Sequence, residues 1–361
     1  MPFDPHDSPH PPGPGGLSPA GLRPDRLVAG WLLAVCAMLL GMIMLGGATR
    51  LTGSGLSIME WAPLSGILPP LREAEWQRLF ALYQQIPQYR LINDGFGIEG
   101  FRHIFWLEWT HRLWGRLIGV VFLLPLIAFA ATGRIPRRLV PRRVVLFLLG
   151  GLQGAVGWFM VASGFFADST AVAPSRLVIH LALAVALYAA VFWTALDLWP
   201  RRPVPPDPLL RRLTQGLAGL LALTILAGGF VAGLHAGLSY NSFPLMDGRL
   251  IPRDYAQLPS IAANLTQNIA AVQFDHRLLA TLTALLALAT VAIGLSRPIG
   301  RLLRPALLVL AAAVAGQYAL GVATLLAVVP VGLATAHQGM AILVVTAVLL
   351  CLHPMRHRIK S

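Results

Sequence analysis

Four histidines, His111, His180, His276 and His337, each fall near the same end of a predicted membrane-spanning helix, and they form two pairs separated by similar lengths of chain. Two imidazoles facing one another across a four-helix bundle suit bis-axial ligation of a haem iron, with the macrocycle edge buried among apolar side chains. A zinc site would want further Cys, His or carboxylate ligands nearby, and the sequence offers few. A lone membrane histidine is more often a helix-to-helix hydrogen-bonding residue or part of a proton path. Four at matching positions of a tandem repeat favour ligation. At about 1.5 Å per residue, His180 lies roughly 6–9 Å below the end of its helix, and His337 about as deep below Pro330.

The elements that must hold these side chains are apolar. Hydrophobic residues make up 56% of the 361 and charged residues only 12%, and several runs approach the roughly 20 residues that span a bilayer. The fold class is therefore an all-α polytopic membrane protein. Eight spans are expected at about 27–47, 109–131, 143–161, 176–198, 213–234, 274–295, 302–329 and 331–352, with the division at Pro330 the least distinct. The net charge of +13 does not indicate a nucleic-acid partner, because the arginines occupy short connections without interleaved aromatics. Arg23 and Arg26, the run from Arg134 to Arg143, Arg201 to Arg212, Arg297 to Arg304, and Arg356 to Lys360 all fall on one side of the membrane. The positive-inside rule makes that side cytoplasmic, with both termini inside and the histidines toward the periplasmic side.

Residues 1–25 are rich in Pro, Gly, Ser and His and read as a disordered cytoplasmic tail; 354–361 read as a basic one. Cys36 and Cys351 both fall within spans, where structural filler is their expected role. In the long connection 48–107, Trp76, Leu79, Phe80 and Tyr83 recur at helical spacing. They describe either an amphipathic interfacial helix or a small packed cap.

The chain repeats itself. Gly46-Gly47 with Gly55-Leu56-Ser57 is matched by Gly228-Gly229 with Gly237-Leu238-Ser239; Gln153 and Gly157 are matched by Gln317 and Gly321; His-Arg recurs at 111–112 and 276–277. Residues 26–205 and 206–353 are thus expected to form two tandem, pseudo-symmetric four-helix bundles in parallel orientation. The halves differ where chemistry would show. Three residues before its histidine the first half has Glu108, where the second has Gln273. A residue at i−3 shares the histidine's face, and a carboxylate near the membrane boundary is costly unless solvated, paired or functional. Gln273 keeps the polarity but cannot exchange a proton, so the difference places chemistry in the first half and a retained cofactor in the second. Arg112, Arg277, Arg50 and Arg176 could hold haem propionates, or snorkel to lipid phosphate. Asp275 could orient an imidazole or pair with Arg277.

The segments GGATRLTGSGLSIMEW, EWTHRLWGRLIG, SRLVIHLALA, AGGFVAGLHAGLSYNSFPLMDG, QFDHRL and ATAHQGMAIL resemble the haem A synthase family, in its proteobacterial and mitochondrial-like branch, over about residues 27–352. The resemblance implies oxidation of the C8 methyl of haem O to a formyl group by successive hydroxylation and loss of water, giving haem A for cytochrome oxidase. It further implies that His276 and His337 ligate the iron of a haem b cofactor, that His111 and His180 ligate the substrate haem, and that Glu108 is the essential glutamate. A bacterial inner-membrane location is implied, with room for haem O synthase and oxidase assembly factors as partners beside membrane lipid, and for a homo-oligomer. Some family members carry paired outer-loop cysteines; this chain has none, which puts a thiol-dependent step in doubt. Two other classes fit the residues less fully. A di-haem, quinol-linked electron-transfer cytochrome leaves the Glu108/Gln273 difference idle, and a small-solute transporter leaves the matched histidine depths unexplained.

Overall fold

The computed structural model describes residues 25–199, 207–300 and 303–356. The expected N-terminal tail, the junction of the halves and most of the basic end lie outside them. Eleven α-helices account for the described architecture: α1 (Arg26–Leu51), α2 (Glu73–Tyr83), α3 (Pro87–Leu91), α4 (Ile98–Ala131), α5 (Val140–Val161), α6 (Pro174–Leu198), α7 (Pro208–Gly233), α8 (Ile261–Gln267), α9 (Ile269–Leu295), α10 (Leu303–Leu326) and α11 (Val331–Leu352). Eight of them, all but α2, α3 and α8, are long and apolar enough to cross a membrane. With no strand among the described residues, every span satisfies its own backbone, as hydrocarbon requires.

Helix boundaries follow local chemistry. Asp25 caps α1 by accepting from the amides of Leu27 and Val28, Asp207 caps α7 through the Leu210 amide, and Asn268 caps α9 through Ala270 and Ala271. Prolines open α5, α6 and α7, where a missing N–H costs nothing. The break at Pro330 is real: Val328 and Val329 turn left-handed at φ 59° and 58° between α10 and α11.

α1 packs on α4 and α6, with α5 bridging α4 and α6; α7 packs on α9 and α11, with α10 bridging α9 and α11. The two sets meet where α1 touches α11 and α6 touches α7 and α11. Close approach there depends on glycine. A Cβ on Gly233 would come 2.8 Å from the Cα of Pro174, and one on Gly229 would come 2.9 Å from the Val178 side chain. Arg50 of α1 also crosses this boundary, donating 2.9 Å to the carbonyl of Ala232 at the end of α7.

α4 begins eleven residues before the apolar run suggested (Ile98 against 109), because its first turns are covered by protein. Trp76, Leu79 and Tyr83 of α2 are buried against Phe101 and Phe105, with the Trp76 and Phe105 rings 4.8 Å apart. The connection is therefore a packed cap. Arg78 donates to both Glu60 and Glu75 at 2.8 Å across it and holds both carboxyls below their ordinary value of 4.5.

Two outcomes follow from this packing. In detergent, Gly233→Ala is expected to lower stability by about 1–3 kcal/mol because the new methyl meets backbone. Gly30→Ala, with nothing within 4 Å of its Cβ, should be neutral or gain up to about 1 kcal/mol, as thermal unfolding would report. In the cap, depressed folded-state carboxyl values mean stabilisation that is present above pH 4.5 and lost as pH falls below it. Hydrogen-exchange protection in residues 60–78, taken relative to the intrinsic rate at each pH, should fall there, and Arg78→Ala should remove that loss of protection.

Candidate functional site

Each of the four histidines lies on a glycine of the preceding membrane span. A Cβ on Gly157 would stand 2.9 Å from Cε1 of His180, one on Gly228 2.9 Å from Cε1 of His276, and one on Gly321 2.8 Å from Cε1 of His337. His111 differs: its Nε2 edge is nearest Gly46, at 3.1 Å. The repeated glycines thus give each imidazole room beside a helix backbone. His180 is near enough to His111, and His337 to His276, for each pair to interact electrostatically. His180 and His337 each lie six residues into α6 and α11, roughly 9 Å deep. His111 is about three and a half turns into α4, whose early turns belong to the cap.

The polar neighbours of the histidines repeat as well. Gln153 Nε2 is 3.5 Å from His180 Nε2 and donates to the His180 carbonyl at 3.0 Å; Gln317 Nε2 is 3.5 Å from His337 Nε2. His276 Nδ1 donates to the Thr224 carbonyl at 3.1 Å, which leaves the Nε2 lone pair free to ligate a metal. Oε1 of both glutamines and Nδ1 of His180 and His337 are buried with no protein partner. Orphaned polar atoms in such a place mark where a ligand belongs. Among the described residues no group of three or more His, Cys, Asp or Glu could hold a bare metal ion. Two nitrogen donors per pair with apolar surroundings fit a haem better than zinc.

Beside His111 and His276 the halves share an arginine-held loop and differ at Glu108 against Gln273. Arg112 Nη1 donates to the Glu60 carbonyl at 2.6 Å and Nη2 to the Ile58 carbonyl at 2.7 Å. Arg277, at the matching place, donates to the Ser242 carbonyl at 2.9 Å and the Tyr240 carbonyl at 2.5 Å. Within the first grip Glu108, 2% exposed, accepts from Arg112 Nε at 3.0 Å and Nη2 at 2.5 Å, from Ser57 Oγ at 2.7 Å and from the Ile58 amide at 2.9 Å. Four donors on two oxygens suit a group that only accepts. Gln273 accepts from Arg277 at 3.0 Å but donates to the carbonyls of Ala236 and Ser239 at 2.7 and 2.6 Å. The carboxylate-to-amide exchange therefore reverses hydrogen-bond direction inside a loop that is otherwise held alike.

The remaining cations are engaged locally. The Arg176 guanidinium lies 3.9 Å over the Phe159 ring and donates to the Phe159 carbonyl at 2.8 Å. Arg112 also lies over Trp158, 5.5 Å from the ring centroid. Asp275 accepts from Tyr255 Oη at 2.9 Å and leaves Oδ2 buried without a partner. Burial and that carboxylate raise the Tyr255 phenol above its ordinary range. Ser57, Thr224 and the glutamines' contact with the histidines escaped the sequence reading. The repeat register held the signal for the glutamines, whereas Thr224 has Met42 as its counterpart.

Paired histidines behind a capped, glycine-lined bundle of eight spans define a helical membrane protein of the haem-handling type. The family described as cytochrome oxidase assembly protein matches residues 29–349. A relative from Granulibacter bethesdensis, named heme A synthase, is 63% identical over 91% of this chain and 87% of its own. Heme A synthases of Paramagnetospirillum magneticum and Rhodospirillum centenum are each 47% identical over 92% of this chain, covering 95% and 89% of theirs. The chain belongs to the haem A synthase family of cytochrome oxidase assembly proteins.

The two arginine grips should respond unequally to truncation. Arg112→Ala leaves Glu108 buried without its countercharge and is expected to cost about 3–5 kcal/mol. Arg277→Ala leaves a neutral amide short of one donor, about 1–3 kcal/mol. Equal losses in thermal unfolding would mean that Glu108 does not carry the difference.

Proposed function

We propose that this chain is a haem A synthase that oxidises the C8 methyl of haem O to a formyl group by successive hydroxylation. In this reading residues 26–205 and 206–353 are two pseudo-symmetric bundles. His111 and His180 hold the substrate haem, and His276 and His337 hold haem b. The observation that carries it is the carboxylate of Glu108 in a scaffold whose duplicate has an amide. A carboxylate beside one histidine pair and an amide at the matching place beside the other is what a substrate site and its cofactor twin require.

Haem b, when bound, supplies one-electron transfer away from the reacting half. The protein's own contribution is positional and electrostatic. The glycines behind the imidazoles let each ring stand close to a helix, and Gln153 and Gln317 offer polar atoms beside His180 and His337. As electrons leave the methyl carbon, positive charge develops there, and a buried carboxylate fixed by four donors stabilises that charge without reorganising. Ser57 Oγ, 2.7 Å from Glu108 Oε2, provides a path for a proton released at that oxygen. The packed cap of Trp76, Phe101 and Phe105 limits water at the same end. The arginines of the α4–α5 connection support, by the positive-inside rule, a bacterial inner-membrane orientation with that end and both termini cytoplasmic and the histidines on the periplasmic side. Haem O synthase and oxidase assembly factors are the proposed partners in delivery.

The test is extraction and mass analysis of haems after co-expression with a haem O source. Wild type should yield haem A, and Glu108→Gln should retain haem b while accumulating haem O or a hydroxylated intermediate. His276→Ala should deplete the low-spin haem b signal. Haem b alone in wild type, with two equivalent low-spin signals, would make this an electron-transfer cytochrome; a normal haem A yield from Glu108→Gln would remove Glu108 from the chemistry.

A further inference from the structure

The two halves differ in a second place, on the wall of the bundle. The most apolar stretch of α4 is 11% buried inside the protein and that of α5 is 6%, against 28% and 22% for α9 and α10 at the same places in the second half. The cause can be named residue by residue. In the register set by Gln153 and Gly157 against Gln317 and Gly321, α5 has Gly150, Gly151 and Gly154 where α10 has Val314, Ala315 and Tyr318. In the register of the His-Arg pairs, α4 has Arg116 where α9 has Thr281.

Tyr318 and Thr281 share a hydrogen bond of 3.0 Å between hydroxyls, which ties α10 to α9, and the Tyr318 ring meets Phe243 edge-on at 6.3 Å. Among the described residues the first half has no hydroxyl tie at that level, and α4 meets α5 above and below it through Arg112 over Trp158 and Phe122 against Phe147. A Cβ on Gly150, Gly151 or Gly154 would meet nothing within 4 Å, so these glycines do not serve helix packing, the usual reason for them in a membrane. Arg116 turns away to the carbonyls of Ala62 and Pro63, both at 2.9 Å. Trp61, the counterpart of Phe243, stacks on Trp158 at 6.3 Å, one residue past the glycine beneath His180.

The open wall is continuous with the first histidine pair. Gly154 is one turn from Gly157, which touches His180, and Gln153, next to Gly154, is bonded to the His180 carbonyl. Gln153 Oε1 on this wall and His180 Nδ1 on α6 behind it are both buried without a protein partner, which marks a ligand there independently of the glycines. Haem O differs from haem b in one large feature, a long isoprenoid chain on the macrocycle where haem b has a vinyl group. A close-packed, sealed bundle has no volume for such a chain, whereas hydrocarbon solvates it.

We infer that the seam between α4 and α5 is the opening through which the isoprenoid chain of the substrate lies in the bilayer. The Tyr318–Thr281 closure of the matching seam reserves the second site for a tail-less haem. This rests on the assignment of His111 and His180 to the substrate. It makes Gly154 and Tyr318 specificity determinants at positions that bear no chemistry, and it gives the substrate a lateral route from lipid.

Transplanting the closure tests it. Arg116→Thr with Gly154→Tyr, and Gly154→Tyr alone to spare the Arg116 loop contacts, are purified as full chains in nanodiscs. Each is titrated with haem O and separately with haem b, following absorbance and the extracted haem per chain. Wild type should bind haem O at the first site. Both variants should lose haem O affinity by at least about tenfold yet still take a second tail-less haem, because the duplicate site accommodates a tyrosine there. The redox potential of the resident haem b should not move. Tyr318→Gly should in turn admit haem O to the second site. Unchanged haem O binding in both variants overturns the inference. So does loss of both haems from the first site, since the tyrosine would then be filling the haem pocket itself. Failure of wild type to bind haem O would instead overturn the substrate assignment, leaving the two failures distinguishable.

Discussion

In hydrocarbon a guanidinium cannot fall back on water, so every donor it carries must find an acceptor supplied by the fold. Arg112 and Arg277 answer that demand by gripping the carbonyls of the loop that follows the first helix of their own half, Arg277 leaving only its Nε without a protein acceptor. The grip fixes the loop over the bundle and sets the residue three positions before each histidine against that loop. It also sits one residue from the histidine, so the register of the imidazole depends on it. The histidine pairs, the cap and the Glu108 network all refer back to these two side chains.

A scaffold held so uniformly lets small differences carry function. Where Glu108 accepts from Ser57 and Ile58, Gln273 donates to Ala236 and Ser239, and the loop backbone in each half presents the matching polarity. Breaking either arrangement would strand a buried polar group, so the choice of carboxylate or amide is built into the loop as well as the helix. A similar economy holds on the wall of the bundle, where a tyrosine–threonine tie in one half faces glycine and a diverted arginine in the other. Duplication has kept the cradle for an imidazole and varied what surrounds it.

The central boundary joins the halves by close backbone approach, with Gly229 and Gly233 against α6 and Arg50 donating to the end of α7. Tyr188 and Thr346 add a hydroxyl pair 2.7 Å apart between α6 and α11. At the end away from the histidines, Asp197 accepts from His353 at 2.9 Å and is paired with Arg356, anchoring the last turn. These polar ties are few, as expected where lipid offers helices no hydrophobic reason to associate and packing does most of the work.

Apolar length determined the eight spans from sequence alone, because hydropathy is a local property of the chain; the spacing of the glycines and of His-Arg is legible there as well, as a pattern within the sequence. The carboxylate-to-amide difference was equally legible once the halves were aligned. The early start of α4 was not, since its first turns are amphipathic only with respect to a cap that folds back from residues 58–89. The partners of Arg112 and Asp275 were not legible either. Several acceptors lay within reach of each, and only the tertiary structure could decide among them, because a side chain's hydrogen bond depends on which backbone atoms a distant loop brings near. The open seam at Gly154 belongs to the same class, since a glycine reads as close packing until the structure shows that nothing packs against it.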